Sequence, residues 1–184
     1  MRKLRVFESI SVDGYFCDAR GDMSWAHAGR ADAEFAAWVG GNASGGGELL
    51  FGRKTYQMME AFWPTPAAAQ QMPIVAKGMN AARKYVASRT IQPTWNNTVL
   101  LKGDLVKAVR ALKASDGPGI AVLGSGDVAV QLGEAGLVDE YQFVIIPVAL
   151  AGGRTVFAKG GKLRLVEQRA FACGNVVVTY AASK

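Results

Sequence analysis

The segment GIAVLGSGDVAVQL, residues 119–132, decides how the rest of the chain is interpreted. An apolar run of strand character ends at a Gly-Ser-Gly turn, and a run that suits a helix begins at once, with Val128 and Leu132 one turn apart. Such a junction leaves backbone N–H groups unpaired at a helix start, where the helix dipole is positive. A phosphate group binds well there, although a plain connection between a strand and a helix has the same pattern.

A second junction of the same kind favours phosphate binding. The apolar strand ELLF (48–51) is followed by GRKTY (52–56), which opens another predicted helix. Arg53 and Lys54 oppose the positive end of the helix dipole, so an anionic ligand explains them better than a solvated first turn does. We therefore predict that this turn and the turn at residues 124–128 converge on one dinucleotide diphosphate.

The spacing Gly124-x-Gly126-x-x-Ala129 also fits a loosened Rossmann fingerprint. A Rossmann unit needs an acidic residue at the end of the following strand, where it binds the ribose. The following strand ends at residues 146–148, which read Ile-Pro-Val and contain no acid. We therefore reject the Rossmann fold and keep two separate phosphate turns.

Composition indicates a globular protein of one domain, residues 1–184, because half of the residues are hydrophobic and 20% are charged. No apolar run approaches the roughly 20 residues that span a bilayer, and no secretory signal is recognisable, so we expect a cytoplasmic protein. Cys17 and Cys173 are expected to be free thiols, and no zinc or other metal site is predicted. The net charge is +6, but the basic residues are scattered, which argues against nucleic-acid binding.

The periodicity predicts strands that alternate with helices and a hairpin at the end of the chain. The predicted elements are a strand at 3–10, a helix from Ala31 or Asp32, a flexible glycine-rich connector at 40–47, a strand at 48–51, a helix from 52, a weak helix or irregular segment at 67–82, strands at 84–89 and 97–101, a helix capped by Asp104, a strand and helix from 119 to Gly136, a strand at 138–148, and paired strands at about 163–172 and 175–181. In the helix after Asp104, Leu105, Val109 and Leu112 are predicted to face inward, and Lys107, Arg110 and Lys113 outward. This order predicts an α/β fold, with a mixed sheet and helices on both faces.

Seven short motifs in collinear order resemble the dihydrofolate reductase-like superfamily, in particular the C-terminal reductase domain of riboflavin biosynthesis. They are SVDGY (11–15), LFGRKTY (50–56), YVASRT (85–90), WNNT (95–98), VLGSG (122–126), GLVDEY (136–141) and PVAL (147–150). The resemblance covers nearly the whole chain. It implies a three-layer fold with a mostly parallel central sheet, and an NADPH-dependent reductase that forms a homodimer through the C-terminal strands.

The resemblance also implies roles for individual residues in holding NADPH. Gly52, Arg53, Lys54 and Thr55 would hold the diphosphate and contribute to the adenosine end, and Ser88 and Arg89 would meet the ribose 2′-phosphate with help from Arg53 or Lys54. Gly124, Ser125, Gly126, Asp127 and Val128 would form the second diphosphate turn, where family members often have a cis peptide, here Gly124–Ser125. The nicotinamide would lie against residues 10–15.

The substrate-binding and catalytic residues follow from the resemblance with open alternatives. A carboxylate on the first long helix is implied, for which Glu34 or Asp32 is the nearest match, and Asp13 is the other acid. Each also has a structural explanation, as a helix-start or turn residue. Tyr15, Trp25, Phe35 and Tyr56 are predicted to line a flat pocket, although Phe35 and Trp38 are equally compatible with core packing.

Two functions remain open at this point. One is an NADPH-dependent reductase of a pterin-, pyrimidine- or flavin-like heterocycle. The other is a module of the same fold that binds NADPH without turnover. The absence of a zinc-binding His/Cys pattern argues against an accompanying deaminase domain.

Overall fold

The computed structural model describes residues 1–183 and shows an α/β fold with eight strands and six α-helices in that range. The strands are β1 (Leu4–Ser11), β2 (Glu48–Gly52), β3 (Lys84–Ala87), β4 (Thr98–Leu101), β5 (Ile120–Leu123), β6 (Glu140–Ile146), β7 (Leu163–Ala170) and β8 (Val176–Ala182). The helices are α1 (Ala33–Ala43), α2 (Arg53–Phe62), α3 (Pro66–Gln71), α4 (Pro73–Ala81), α5 (Leu105–Ala114) and α6 (Gly126–Glu134), and a short 3-10 helix covers Ser24–His27.

The eight strands form one sheet in the order β4-β3-β2-β5-β1-β6-β8-β7. Strands β1 to β6 are mutually parallel, and β8 and β7 add an antiparallel hairpin at one side. The predicted fold class is therefore confirmed. The carboxyl ends of the six parallel strands share one edge of the sheet, which we call the carboxyl edge, and ligands of open α/β sheets bind at such an edge.

Helices cover both faces of the sheet and give three layers. On one face, the aromatic residues Phe51, Tyr56 and Trp95 form a core cluster with residues of α4. On the other face, Val109 of α5 and Leu132 of α6 pack against alternate residues of the central strands. Both faces of the parallel strands are thus buried, as expected for parallel sheets.

Helix α1 continues through the glycine-rich segment that we predicted to be a flexible connector. Asp32 caps its start through N–H groups of Glu34 and Phe35, as predicted, but the helix ends only at Ala43. Gly40 is buried against Ile74 of α4. Close packing between α1 and α4 thus outweighs the low helix propensity of glycine.

The segment predicted to be weakly helical or irregular consists of two short helices, α3 and α4. Each begins with a proline, Pro66 and Pro73, at its first position. Proline suits that position because its missing N–H would have no intrahelical partner. Gly78 lies inside α4, where it allows close approach to α1.

The predicted outward position of Lys113 on α5 is wrong. Its side chain is buried, pairs with Asp139 and donates a hydrogen bond to the carbonyl oxygen of Leu137, 2.6 Å away. The pattern on α5 gave Lys113 the periodicity of a solvent face, but its long stem reaches the chain before β6. Within residues 1–183, no helix has the length and apolar character needed to cross a bilayer.

Candidate functional site

The two predicted phosphate turns lie side by side at the carboxyl edge, because β2 and β5 are neighbouring parallel strands. The N–H of Gly52 donates a hydrogen bond to Oγ of Ser125 over 2.9 Å. A Cβ atom on Gly124 would lie 3.1 Å from Cγ2 of Thr55, so the two turns also touch through van der Waals contact. The starts of α2 and α6 therefore flank one position at this edge.

Neither of these two helix starts is capped by a side chain, whereas α1 and α5 are capped by Asp32 and Asp104. The first turn of α2 contains no acid and presents the exposed side chains of Arg53 and Lys54. Unpaired N–H groups and cations at one helix start attract an anion. The start of α2 thus has the donors that a phosphate group needs.

The turn before α6 is strained and partly covered. Gly124 and Ser125 both have positive φ angles, 57° and 66°, and the peptide bond between them is trans, in contrast to the cis bond that the family resemblance implies. Gly126 is buried under Phe16, and a Cβ atom there would lie 2.2 Å from the ring. Val128 is also buried, so the part of this turn that faces solvent is formed by residues 124, 125 and 127.

Further cations follow the neighbouring strands at the same edge. Ser88 and Arg89 come directly after β3, the strand beside β2, and Lys102 follows β4. The Oγ atom of Ser88 accepts N–H groups of Thr90 and Ile91 and fixes the turn, while Arg89 is exposed. The edge thus carries positive charge that extends outward from the start of α2.

The sequence patterns did not identify Arg154 as a site residue. Its backbone forms a bridge with Cys17, with hydrogen bonds of 3.1 Å to the Cys17 carbonyl oxygen and 2.8 Å from the Phe16 N–H. The guanidinium lies over the Phe16 ring, 5.4 Å from its centroid, and pairs with Asp127 at the start of α6. No local signal in the sequence predicts this position, because it depends on the path of a loop after β6.

Asp13 has a structural role between two loops. Its carboxylate accepts hydrogen bonds from the Ser11 hydroxyl and from the N–H groups of Leu150 and Ala151. These bonds, that of Ser11 first, lower the pKa of Asp13 below its usual value. A lowered pKa makes Asp13 a poor proton donor near neutral pH.

The two acids at the start of α1 also have partners. Glu34 is exposed and pairs with Arg169 of β7 at 2.6 Å. Asp32 accepts N–H groups of α1 and of Cys173, and these bonds, that of Phe35 first, lower its pKa. Of these two, Glu34 is the one with its carboxylate at the surface beside the aromatic residues described next.

The aromatic side chains on the α1 face form one cluster near the carboxyl edge. Phe35 lies between Trp38 and Phe171, with ring centroids 6.0 and 5.2 Å away. Trp25 packs against the same cluster, and Tyr15 is half-buried in the loop after β1. Tyr56 lies elsewhere: it is fully buried beside Phe51 and Trp95 and offers no surface to a ligand.

Glu8 is a buried acid that no sequence motif singles out, although an acid inside an apolar strand is itself a visible signal. It lies on β1, one position beyond the pair formed by Phe7 and Leu123, and therefore at the level of Gly124. Its Oε2 atom has no hydrogen-bond partner among the described residues. Burial raises the pKa of Glu8 to about 8, and a backbone hydrogen bond with Ser9 only partly offsets that rise.

Both cysteines are free thiols. Among residues 1–183, no three His, Cys, Asp or Glu side chains are grouped in a way that would hold a metal ion.

Comparisons with known proteins agree on the fold. The chain is 24% identical over 182 residues to the uncharacterized protein YyaP of Bacillus subtilis (strain 168), a match that covers 97% of this chain and 94% of YyaP. It superposes on a putative riboflavin biosynthesis protein from Shewanella sp. PV-4 with a TM-score of 0.70, at 22% identity over 99% of both chains. It also superposes on a pyrimidine reductase-like protein from Corynebacterium diphtheriae with a TM-score of 0.63, at 13% identity over 100% of this chain and 92% of that one.

The family model of the RibD C-terminal domain matches residues 2–179, almost the entire chain. The matched range contains both helix starts, the cations beside them and the aromatic cluster. The chain belongs to the RibD C-terminal domain family.

Proposed function

We propose that the protein is an NADPH-dependent reductase that transfers a hydride to a flat heterocycle of the pterin, pyrimidine or flavin class. The observation that carries this proposal is the pair of uncapped helix starts, which touch at the carboxyl edge through Gly52 and Ser125. A dinucleotide has one diphosphate, and two adjacent helix starts without a side-chain cap suit it. The name of the Corynebacterium diphtheriae neighbour, pyrimidine reductase-like, supports the substrate class.

The chain's residues divide into those for the cofactor and those for the substrate. Arg53 and Lys54 would pair with phosphate oxygens, and Arg89, after the neighbouring strand, would meet the 2′-phosphate with help from Arg53 or Lys54. When bound, NADPH supplies the hydride. The half-buried Trp25 would stack on the heterocycle and exclude water from one side, while Phe35, which is buried in the core, would support it from below.

Glu34 is the acid that we propose for contact with the substrate. It lies at the start of α1 directly before Phe35, and its only described ion-pair partner, Arg169, is also exposed. Asp13 instead fixes the loop around Leu150 and Ala151, which leads to Arg154. We therefore expect Glu34→Gln to change kcat and KM together, and Asp13→Ala to act chiefly on cofactor binding.

The first test measures NADPH binding by quenching of tryptophan fluorescence, and then NADPH oxidation with dihydrofolate and ribosylamino-pyrimidine substrates. Oxidation with any of them supports the reductase. Binding without oxidation across the panel would favour the alternative, a module that binds NADPH without turnover. Failure to bind NADPH at all would exclude both.

The choice between NADPH and NADH tests the cations. Arg53→Ala or Arg89→Ala should weaken NADPH binding by about tenfold or more and NADH binding much less, because only NADPH carries the 2′-phosphate that these side chains would pair with. Titration of both cofactors into each variant measures the difference. Lys159→Ala, which removes an exposed cation from a different loop, is the matched control. An equal loss for both cofactors would contradict the assignment.

A further inference from the structure

Arg154 is held in place by contacts other than its ion pair with Asp127. Its backbone bridges Cys17, and its guanidinium lies over the ring of Phe16. Phe16 in turn is packed on Gly126, the first residue of α6. The cation is therefore fixed beside the uncapped start of α6, although it comes from a loop that follows β6.

The charge of Arg154 is satisfied by an anion that belongs to the protein itself. The partner is Asp127, in the first turn of α6, and both side chains are more than half exposed, at 54% and 73%. An exposed ion pair of this kind contributes little to stability, so it separates readily. A carboxylate and a phosphate present similar oxygens to a guanidinium, which binds either in the same forked geometry.

We infer that Arg154 is a cofactor-binding residue that exchanges Asp127 for a diphosphate oxygen when the dinucleotide binds. This inference rests on the proposed function, since it assumes that a diphosphate occupies the starts of α2 and α6. Asp127 is then a competitor for Arg154, which it keeps oriented in the free protein and releases in the complex. The start of α2 supplies its own cations, Arg53 and Lys54, whereas the start of α6 receives its cation from residue 154.

Calorimetric titration of NADPH and of inorganic pyrophosphate tests the exchange in four proteins: the wild type, Arg154→Gln, Asp127→Asn and the double variant. Arg154→Gln should weaken both ligands roughly tenfold, the usual loss for a charge-assisted hydrogen bond. Asp127→Asn should strengthen both ligands severalfold, because Arg154 no longer has to leave a carboxylate. In the Arg154→Gln background, Asp127→Asn should have almost no effect.

This lack of additivity separates exchange from simple charge repulsion. If Asp127 acted only by repelling phosphate, Asp127→Asn would strengthen binding equally in both backgrounds, and that result would overturn the exchange. Lys159→Gln and Asp116→Asn are the matched charge controls, since both residues are exposed and lie in other loops. Arg154→Lys keeps the charge without the fork and should retain part of the affinity, which guards against a folding defect in Arg154→Gln.

The two ligands distinguish this inference from the proposed function. NADPH binding that is unaffected by Arg154→Gln would refute the inference and leave the reductase proposal intact. Pyrophosphate binding that follows the expected pattern, without NADPH binding, would support the exchange and refute the reductase. A wild type that binds neither ligand would refute both.

Discussion

Glu8 places a carboxyl group in the apolar layer between the sheet and the α6 face, beside the glycine turn at Gly124. It shares its strand face with Leu4 and Val6, which are completely buried. A charged carboxylate without a partner is costly in such surroundings, so the group retains its proton in the folded protein. Its pKa of about 8 lies well above the ordinary value of 4.5.

The stability of the protein should therefore depend on pH through Glu8. Between about pH 4.5 and 8 the unfolded chain releases this proton and the folded chain keeps it, so the free energy of unfolding falls as the pH rises and levels off above about 8. Glu8→Gln keeps the shape and removes the ionisation. We expect it to raise the free energy of unfolding at pH 8 by an amount on the order of a few kcal/mol and to leave it nearly unchanged at pH 4.

Urea denaturation at pH 4, 6 and 8 measures this difference. Glu134→Gln, at an exposed position at the end of α6, is the control and should leave the pH profile unchanged. A Glu8→Gln profile that runs parallel to that of the wild type would show that Glu8 ionises normally.

Among the secondary-structure elements, the packing of helix α1 against helix α4 depends on glycines. A Cβ atom on Gly78 of α4 would lie 2.4 Å from the carbonyl oxygen of Ala43, a backbone atom that cannot move aside easily. Gly41 of α1 is exposed, and a Cβ atom on it would have no other atom within 4 Å. Two glycines in the same pair of helices thus have opposite surroundings.

Alanine at these two positions should shift stability in opposite directions. Gly78→Ala is expected to lower the free energy of unfolding by about 1–3 kcal/mol, because the helices must separate to admit the methyl group. Gly41→Ala should raise it by about 0.5–1 kcal/mol through helix propensity. Thermal and chemical denaturation of both variants measures the two shifts, and a gain for Gly78→Ala would mean that the helices tolerate the methyl group.

Features that depend on residues nearby in the sequence were predictable, and features that depend on segments far away in the sequence were not. The strand–glycine–helix junctions at residues 52 and 124 and the caps Asp32 and Asp104 are local, and the structure has them where they were expected. The helix through residues 40–43 and the inward path of Lys113 depend on α4 and on the segment before β6, which no local pattern reveals. Arg154 was missed for the same reason.

At the scale of the whole molecule, one side of the sheet ends in an exposed strand. All residues of β7 after Leu163 are exposed, including the apolar side chains Leu165 and Val166, at 51% and 49%. Unpaired edge strands of this kind accept another strand readily. The expected homodimer, through the C-terminal strands, would cover the exposed outer side of β7.

Val166→Lys should shift such a dimer toward the monomer, because a charge is then placed in the contact. Light scattering coupled to size-exclusion chromatography measures the mass of each protein. Met58→Lys adds the same charge at another exposed apolar position, on α2, and should leave the dimer unchanged. A monomeric wild type, or an unchanged dimer for Val166→Lys, would contradict a dimer through β7.

The position of β1 in the middle of the sheet has a consequence for biosynthesis. Leu4 is paired with Ile120, and Val6 is paired with Tyr141, so both neighbours of β1 lie far downstream of it in the chain and are translated long after it. Until then its apolar side chains have no sheet to join, and such exposed segments are prone to associate with other nascent chains. The ribosome therefore releases β1 long before this strand can pair, and we expect a chaperone that shields residues 4–10 during synthesis to raise the yield of folded protein.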